Sequence, residues 1–128
     1  MTLRQRNVIV RQLPATLDAR ARKVFYQLLE DCINVDRPLL VFDCCQLRDL
    51  DGTAIHFLLC CLEEAMKRNG DVKLAALAPN VKARLESAGT YRIFEIFDTI
   101  ADAVDSYRQP RLSDAPNKPI AQSAVQAA

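Results

Sequence analysis

The sequence predicts an α/β layered domain, and three observations carry that prediction. Short apolar runs rich in β-branched residues alternate with longer segments whose apolar residues recur at helical spacing. One run, Leu39-Leu40-Val41-Phe42, is apolar throughout, as expected for a strand covered on both faces in a parallel sheet or in the middle of a mixed one. Half of the 128 residues are hydrophobic, enough for one compact core. Strands alternating with helices then give a sandwich, a mixed sheet of about four or five strands with about four helices packed against it.

Val8 to Leu13 reads as the first strand, and Pro14 stops it. Asp18 offers a side-chain oxygen to the free amides of a first helix. Its apolar stripe is Ala21, Val24, Phe25, Leu28, Leu29 and Cys32, with Arg20, Arg22, Lys23 and Glu30 outside it. Asn34, Asp36 and Pro38 end that helix, and the apolar run at 39–42 follows. Residues 43–52 form a loop. Thr53 to Arg68 reads as a second helix, closed by Asn69-Gly70 as a left-handed stop. Val72 to Ala78 is a third strand. Pro79-Asn80 opens a short helix carried by Val81, Leu85 and Ala88 and closed by Gly89. Ile93 to Phe97 is read as a short edge strand or the approach to the next element. Asp98 or Thr99 caps a last helix through Ala101, Val104 and Tyr107. Beyond Arg108, Pro110, Pro116 and Pro119 mix with small and polar residues. Residues 1–108 are therefore expected to form the domain and 109–128 a disordered tail.

Composition excludes several functions. The 17 Lys and Arg residues nearly balance the 16 Asp and Glu residues and are scattered, which disfavours nucleic acid and anionic membranes as partners. No apolar run approaches the roughly 20 residues needed to span a bilayer. Met1 to Arg11 is polar and basic, unlike a secretory signal, so a cytoplasmic protein is expected. Of the five cysteines, Cys44-Cys45 and Cys60-Cys61 are adjacent pairs whose side chains diverge, a poor arrangement for chelation. Reduced cysteines acting as small apolar residues are preferred to a metal site or a disulfide framework. Oxidation of an exposed thiol, at Cys60 or Cys61, is the runner-up. With three glycines and no readable nucleophile–base or metal-ligand arrangement, no cofactor, metal or catalytic residue is expected.

The stretch Asp49-Leu50-Asp51-Gly52-Thr53 lies where a strand passes into a helix, at the carboxyl end of the strand, where function concentrates in α/β folds. Asp51 is placed to cap the second helix. Asp49 reads equally as a turn-forming residue or a partner contact. Gly52 is expected to let the chain turn tightly into the helix. Within that helix Ile55, Leu58, Leu59, Leu62 and Met66 form a core stripe, with Ala54, Phe57, Cys61 and Ala65 beside it. Phe57 falls roughly 160° from the stripe's centre. It is read either as a partly exposed partner contact or as tucked under a neighbouring loop. His56 joins Glu63 and Lys67 on the polar face.

In order, these elements resemble the STAS domain of bacterial anti-sigma factor antagonists. Leu17-Asp18 is similar to the family's Leu/Ile-Asp pair. Leu40-Val41-Phe42-Asp43 followed by Asp49-Leu50-Asp51-Gly52 is similar to its strand and Asp-Ser-Ser/Thr-Gly loop. Val81-Lys82, Leu85, Gly89, Ile93-Phe94, Ile96-Phe97-Asp98 and Ala103 resemble its closing pattern, so the likeness spans residues 7–107. The chain departs from the pattern in three places. The strand that usually precedes Val8 is short or missing, Ala15-Thr16 replace a Gly, and Leu50-Asp51 replace the hydroxyl pair. The family's phosphoacceptor therefore cannot be carried over, and Asp51 is its positional equivalent.

The resemblance implies a non-enzymatic interaction module that binds an anti-sigma factor or serine protein kinase. The expected contacts are Asp49, Leu50, Asp51, Gly52, Thr53, Phe57 and Lys82. It also admits a STAS subunit of a larger assembly, such as a lipid-transport ATPase complex or a stressosome-like scaffold. A phosphoacceptor protein using Asp51, with Asp43 and Asp49 near a Mg²⁺ ion, is the enzymatic alternative. The oligomeric state is not readable from the sequence.

Overall fold

The computed structural model describes residues 7–90 and 92–108, and the expected tail at 109–128 lies outside the described residues. The elements alternate as β1 (Val8–Gln12), α1 (Ala19–Ile33), β2 (Leu39–Asp43), α2 (Gly52–Met66), β3 (Asp71–Ala75), α3 (Pro79–Ser87), β4 (Ile96–Phe97) and α4 (Ile100–Arg108). Strand order follows chain order, β1-β2-β3-β4. All three pairings are parallel, so the described sheet is parallel where the sequence reading expected a mixed one. A helical crossover between each pair of neighbouring strands is what permits this.

The apolar run of β2 is buried along its whole length. Its side chains alternate between two cores, as the pleat requires. Leu40 and Phe42 face the large core made with α1, α2 and α3, while Leu39 and Val41 face a smaller one with Ala103 and Tyr107 of α4. The helix starts follow the capping expectations. Asp18 Oδ1 accepts from the Ala21 amide at 2.8 Å, and Thr99 Oγ1 accepts from Asp102 at 3.0 Å. Asn69, at φ 64°, takes the left-handed turn after α2 expected of the Asn69-Gly70 pair.

Several core expectations shift. Of the expected α1 stripe Phe25 and Leu29 are buried, joined by Ile33, while Val24 and Leu28 are exposed. In α2, Met66 is exposed while Cys61 and Ala65 are buried, so the buried stripe is rotated from the one expected. Ala88 and Ala101 are also exposed. The sequence did not reveal a buried cation. Lys73 on β3 donates to Ser106 Oγ at 2.6 Å, pairs with Glu95 at 3.0 Å and lies 4.0 Å from the Tyr107 ring centroid. These partners compensate the ammonium for lost water. Tyr107 also donates its hydroxyl to the Leu40 carbonyl at 2.9 Å, and burial raises its phenol well above the usual range.

Candidate functional site

The carboxyl end of β2 passes into a loop anchored from inside. Cys44, Leu47 and Leu50 point into the core, each at most 2% exposed. Cys45, Gln46, Arg48, Asp49 and Asp51 lie on the outside. Backbone bonds fix the path, from Cys44 to the Ala75 carbonyl and from Arg48 to the Ala15 carbonyl, both at 2.9 Å. Side chains of α3 clamp it further. Asn80 Nδ2 donates to the Arg48 carbonyl at 2.8 Å and Arg84 Nε to the Leu50 carbonyl at 3.1 Å. Sequence reading missed the positioning parts of Asn80 and Arg84. Neither lies near the loop in sequence, and only the fold of β3 and α3 brings them there.

At the lip itself, Asp51 Oδ1 accepts from the Ala54 amide at 2.8 Å, so Asp51 is the N-cap of α2. Asp49 is exposed and its side chain makes no hydrogen bond among the described residues, which does not support the turn-forming alternative. Gly52 has no positive φ, and a Cβ there would meet nothing within 4 Å. The tight-turn role expected of it is therefore absent, and the fold places no steric demand on glycine at this position. Thr53 is exposed in the first helical turn. Leu50 is corrected from surface contact to core residue, since it is 1% exposed and offers only backbone. Lys82 does not join the loop. It points toward Asp98 at 4.0 Å, on the side of α3 roughly opposite Asn80 and Arg84.

Phe57 is half-buried and packs edge-to-face on α1, with ring centroids 6.1 Å from Phe25 and 6.4 Å from Tyr26. Its neighbours are thus helix aromatics, not a loop as the alternative reading held. Beside the lip, Ala15, Cys45, Gln46, Leu47, Arg48, Ala78 and Asn80 line an open cleft of about 640 Å³. Among the described residues no group of three or more His, Cys, Asp or Glu side chains is arranged to hold a metal. No helix among the described residues is long and apolar enough to cross a membrane.

The thiols separate by environment. Cys44 and Cys61 are buried, and desolvation pushes both thiols up to about 12. Cys45 is exposed, while Cys32 and Cys60 are half-buried. Cys61 is therefore removed from the oxidation candidates. Cys60 keeps its place, 3.5 Å from His56 Nε2, and Cys45 is the more open thiol. Thiol labelling of the folded protein is expected to modify Cys45 first, with Cys44 and Cys61 reacting only after denaturation. Peptide mass mapping checks the order, and early labelling of Cys61 would contradict the packing of α2.

A parallel sheet layered with helices, carrying a braced, acid-capped loop at a strand's carboxyl end, defines a small α/β domain with a preformed surface lip. The chain belongs to the STAS domain family, whose match spans residues 1–103. Solved structures share the fold. An anti-sigma factor antagonist from Mycobacterium paratuberculosis aligns with TM-score 0.69 at 19% identity, over 83% of this chain and 91% of that one. The anti-sigma factor antagonist SpoIIAA in its unphosphorylated form aligns with TM-score 0.67 at 19% identity, over 84% and 93%. The STAS domain of a SulP transporter from Vibrio cholerae aligns with TM-score 0.66 at 18% identity, over 84% of each chain. No curated protein matches the chain in sequence.

Proposed function

We propose that this chain is a non-enzymatic, cytoplasmic interaction module. It acts like an anti-sigma factor antagonist and docks an anti-sigma factor or related serine protein kinase through the 49–53 lip. No nucleic acid takes part, and the module does not insert into a membrane. The observation that carries the reading is the lip itself. Asp49, Asp51, Gly52 and Thr53 are exposed together on a loop held rigid from beneath, and Gly52 leaves open space that the fold does not require. Backbone open to close approach at a helix start suits a docking partner.

Asp51 sets the character of the module. In the family the loop hydroxyl receives a phosphate carrying nearly two negative charges, which disfavours docking on the kinase. Asp51 presents a carboxylate at that place and has no hydroxyl to esterify. The module is thereby withdrawn from the phosphorylation cycle and binds a partner adapted to an acid.

Affinity capture with wild type, Asp51→Ser and Asp51→Ala tests this. Asp51→Ser keeps a capping oxygen, so its stability should stay close to wild type, and it should accept phosphate from the captured kinase. Asp51→Ala loses the cap and should cost about 1 kcal/mol in denaturant titration. If no variant retains any anti-sigma factor or kinase from the same cell, the reading is wrong. Incubation with acetyl phosphate and Mg²⁺ separates the phosphoacceptor alternative, which demands a hydroxylamine-labile adduct on Asp51. A STAS subunit of a larger assembly is the second reading, supported by the likeness to a transporter's STAS domain. It requires co-purification with a permease or an ATPase.

A further inference from the structure

The outward face of α1 has a charge order that works against its own helix. Arg20 and Lys23 lie exposed near the amino end and Glu30 and Asp31 near the carboxyl end, with no acid in the first turn and no base in the last. The helix macrodipole favours the reverse arrangement. Between these charges Val24 and Leu28 are 49% and 65% exposed, one turn apart on the same face. Arg20 and Asp31 make no ion pair or hydrogen bond among the described residues.

The position of this face in the fold follows from two contacts. Tyr26 meets Phe57, so α2 lies on the Tyr26 side of α1. Arg11 of β1 donates to Cys32 Sγ at 3.1 Å, so β1 lies under the Cys32 side. Leu28 is about 40° from Cys32 and about 160° from Tyr26 around the helix. Val24 and Leu28 therefore overhang β1, which is an edge strand among the described residues.

We propose that this edge pairs with a second copy of this chain, α1 against α1 and β1 beside β1, both antiparallel about a twofold axis normal to the sheet. A dyad level with Tyr26 sets Val24 against Leu28 of the second copy, and Leu28 against Val24. The same dyad brings Arg20 to within one residue's rise, about 1.5 Å, of Asp31 of the second copy. The face is self-complementary in shape and charge, as an isologous interface must be. The adverse charge order within each helix becomes a favourable one across the pair.

Sedimentation of the full chain across the micromolar range tests this. Wild type should dimerise. Leu28→Asp should weaken the dimer about a hundredfold. Arg20→Glu and Asp31→Arg should each weaken it about tenfold, and the double variant should restore it. Circular dichroism should stay unchanged throughout, because none of these side chains is in the core. A monomeric wild type, a double variant no better than the singles, or a dimer formed only after removal of residues 1–6 would each overturn the proposal. The last outcome would mean that this segment covers the edge.

Discussion

Phe42→Ala is expected to cost about 3–5 kcal/mol of folding stability, a large fraction of what a domain of this size possesses. Phe42 is fully buried at the centre of the sheet and packs edge-to-face on Phe25, with ring centroids 5.2 Å apart. Phe25 in turn meets Phe57, so removing the ring opens a cavity under both α1 and α2. The loss combines the transfer energy of the ring with the cavity left behind, because β2 is held by a neighbour on each side and cannot collapse inward. Urea titration should show a lower midpoint with little change in slope. Phe42→Leu should lose much less. A cost below about 1 kcal/mol for the alanine variant would mean that Phe42 does not organise the core.

Gly70→Ala should be nearly as damaging, for a different reason. A Cβ at Gly70 would overlap the Pro38 carbonyl oxygen and come within 2.6 Å of the Pro38 ring carbon Cδ. Neither atom can swing aside. The same Pro38 carbonyl accepts from the Asp71 amide at 2.9 Å, where the β2–β3 pairing begins. The Arg37 amide donates to the Arg68 carbonyl at 2.8 Å alongside it. Relief of the clash therefore separates the ends of the two central strands. About 3 kcal/mol or more is expected, at the top of the overpacking range. The other glycines serve as controls in the same denaturant series. Gly52→Ala meets open space and should be close to neutral. Gly89→Ala, at φ 76°, should lose about 1–2 kcal/mol from left-handed strain alone. Equal effects at all three positions would refute the packing argument at Gly70.

The residues that were legible in the sequence share one property, which is that their reasons are local. Asp18 and Asp51 cap the helices that begin just after them, and the spacing of donor and acceptor is set within three residues. The apolar run at 39–42 gave a strand buried on both faces, as found. Legibility failed where an apolar arc was wider than the groove receiving it. In α2 nearly every face is apolar, so periodicity could not choose between Met66 and Cys61. The position of β3 under the helix made that choice. In α1 the stripe from Ala21 to Cys32 reads as core throughout, yet among the described residues the sheet ends at β1 and leaves Val24 and Leu28 beyond it.

The candidate site divides along the same line. Its place at the end of β2 and the carboxylate of Asp51 were written in the chain. The burial of Leu50, the reach of Asn80 and Arg84, and the turning of Lys82 toward Asp98 were not.

Pattern and capping chemistry act over a few residues, so the sequence by itself determined the alternation of strands and helices, the helix starts and the acid at the end of the β2 loop. Which apolar faces are covered, how Lys73 is neutralised and which side chains brace the lip depend on segments some 30 residues apart meeting in space. Only tertiary packing decides those, because burial belongs to the assembled layers and not to any one stretch of chain.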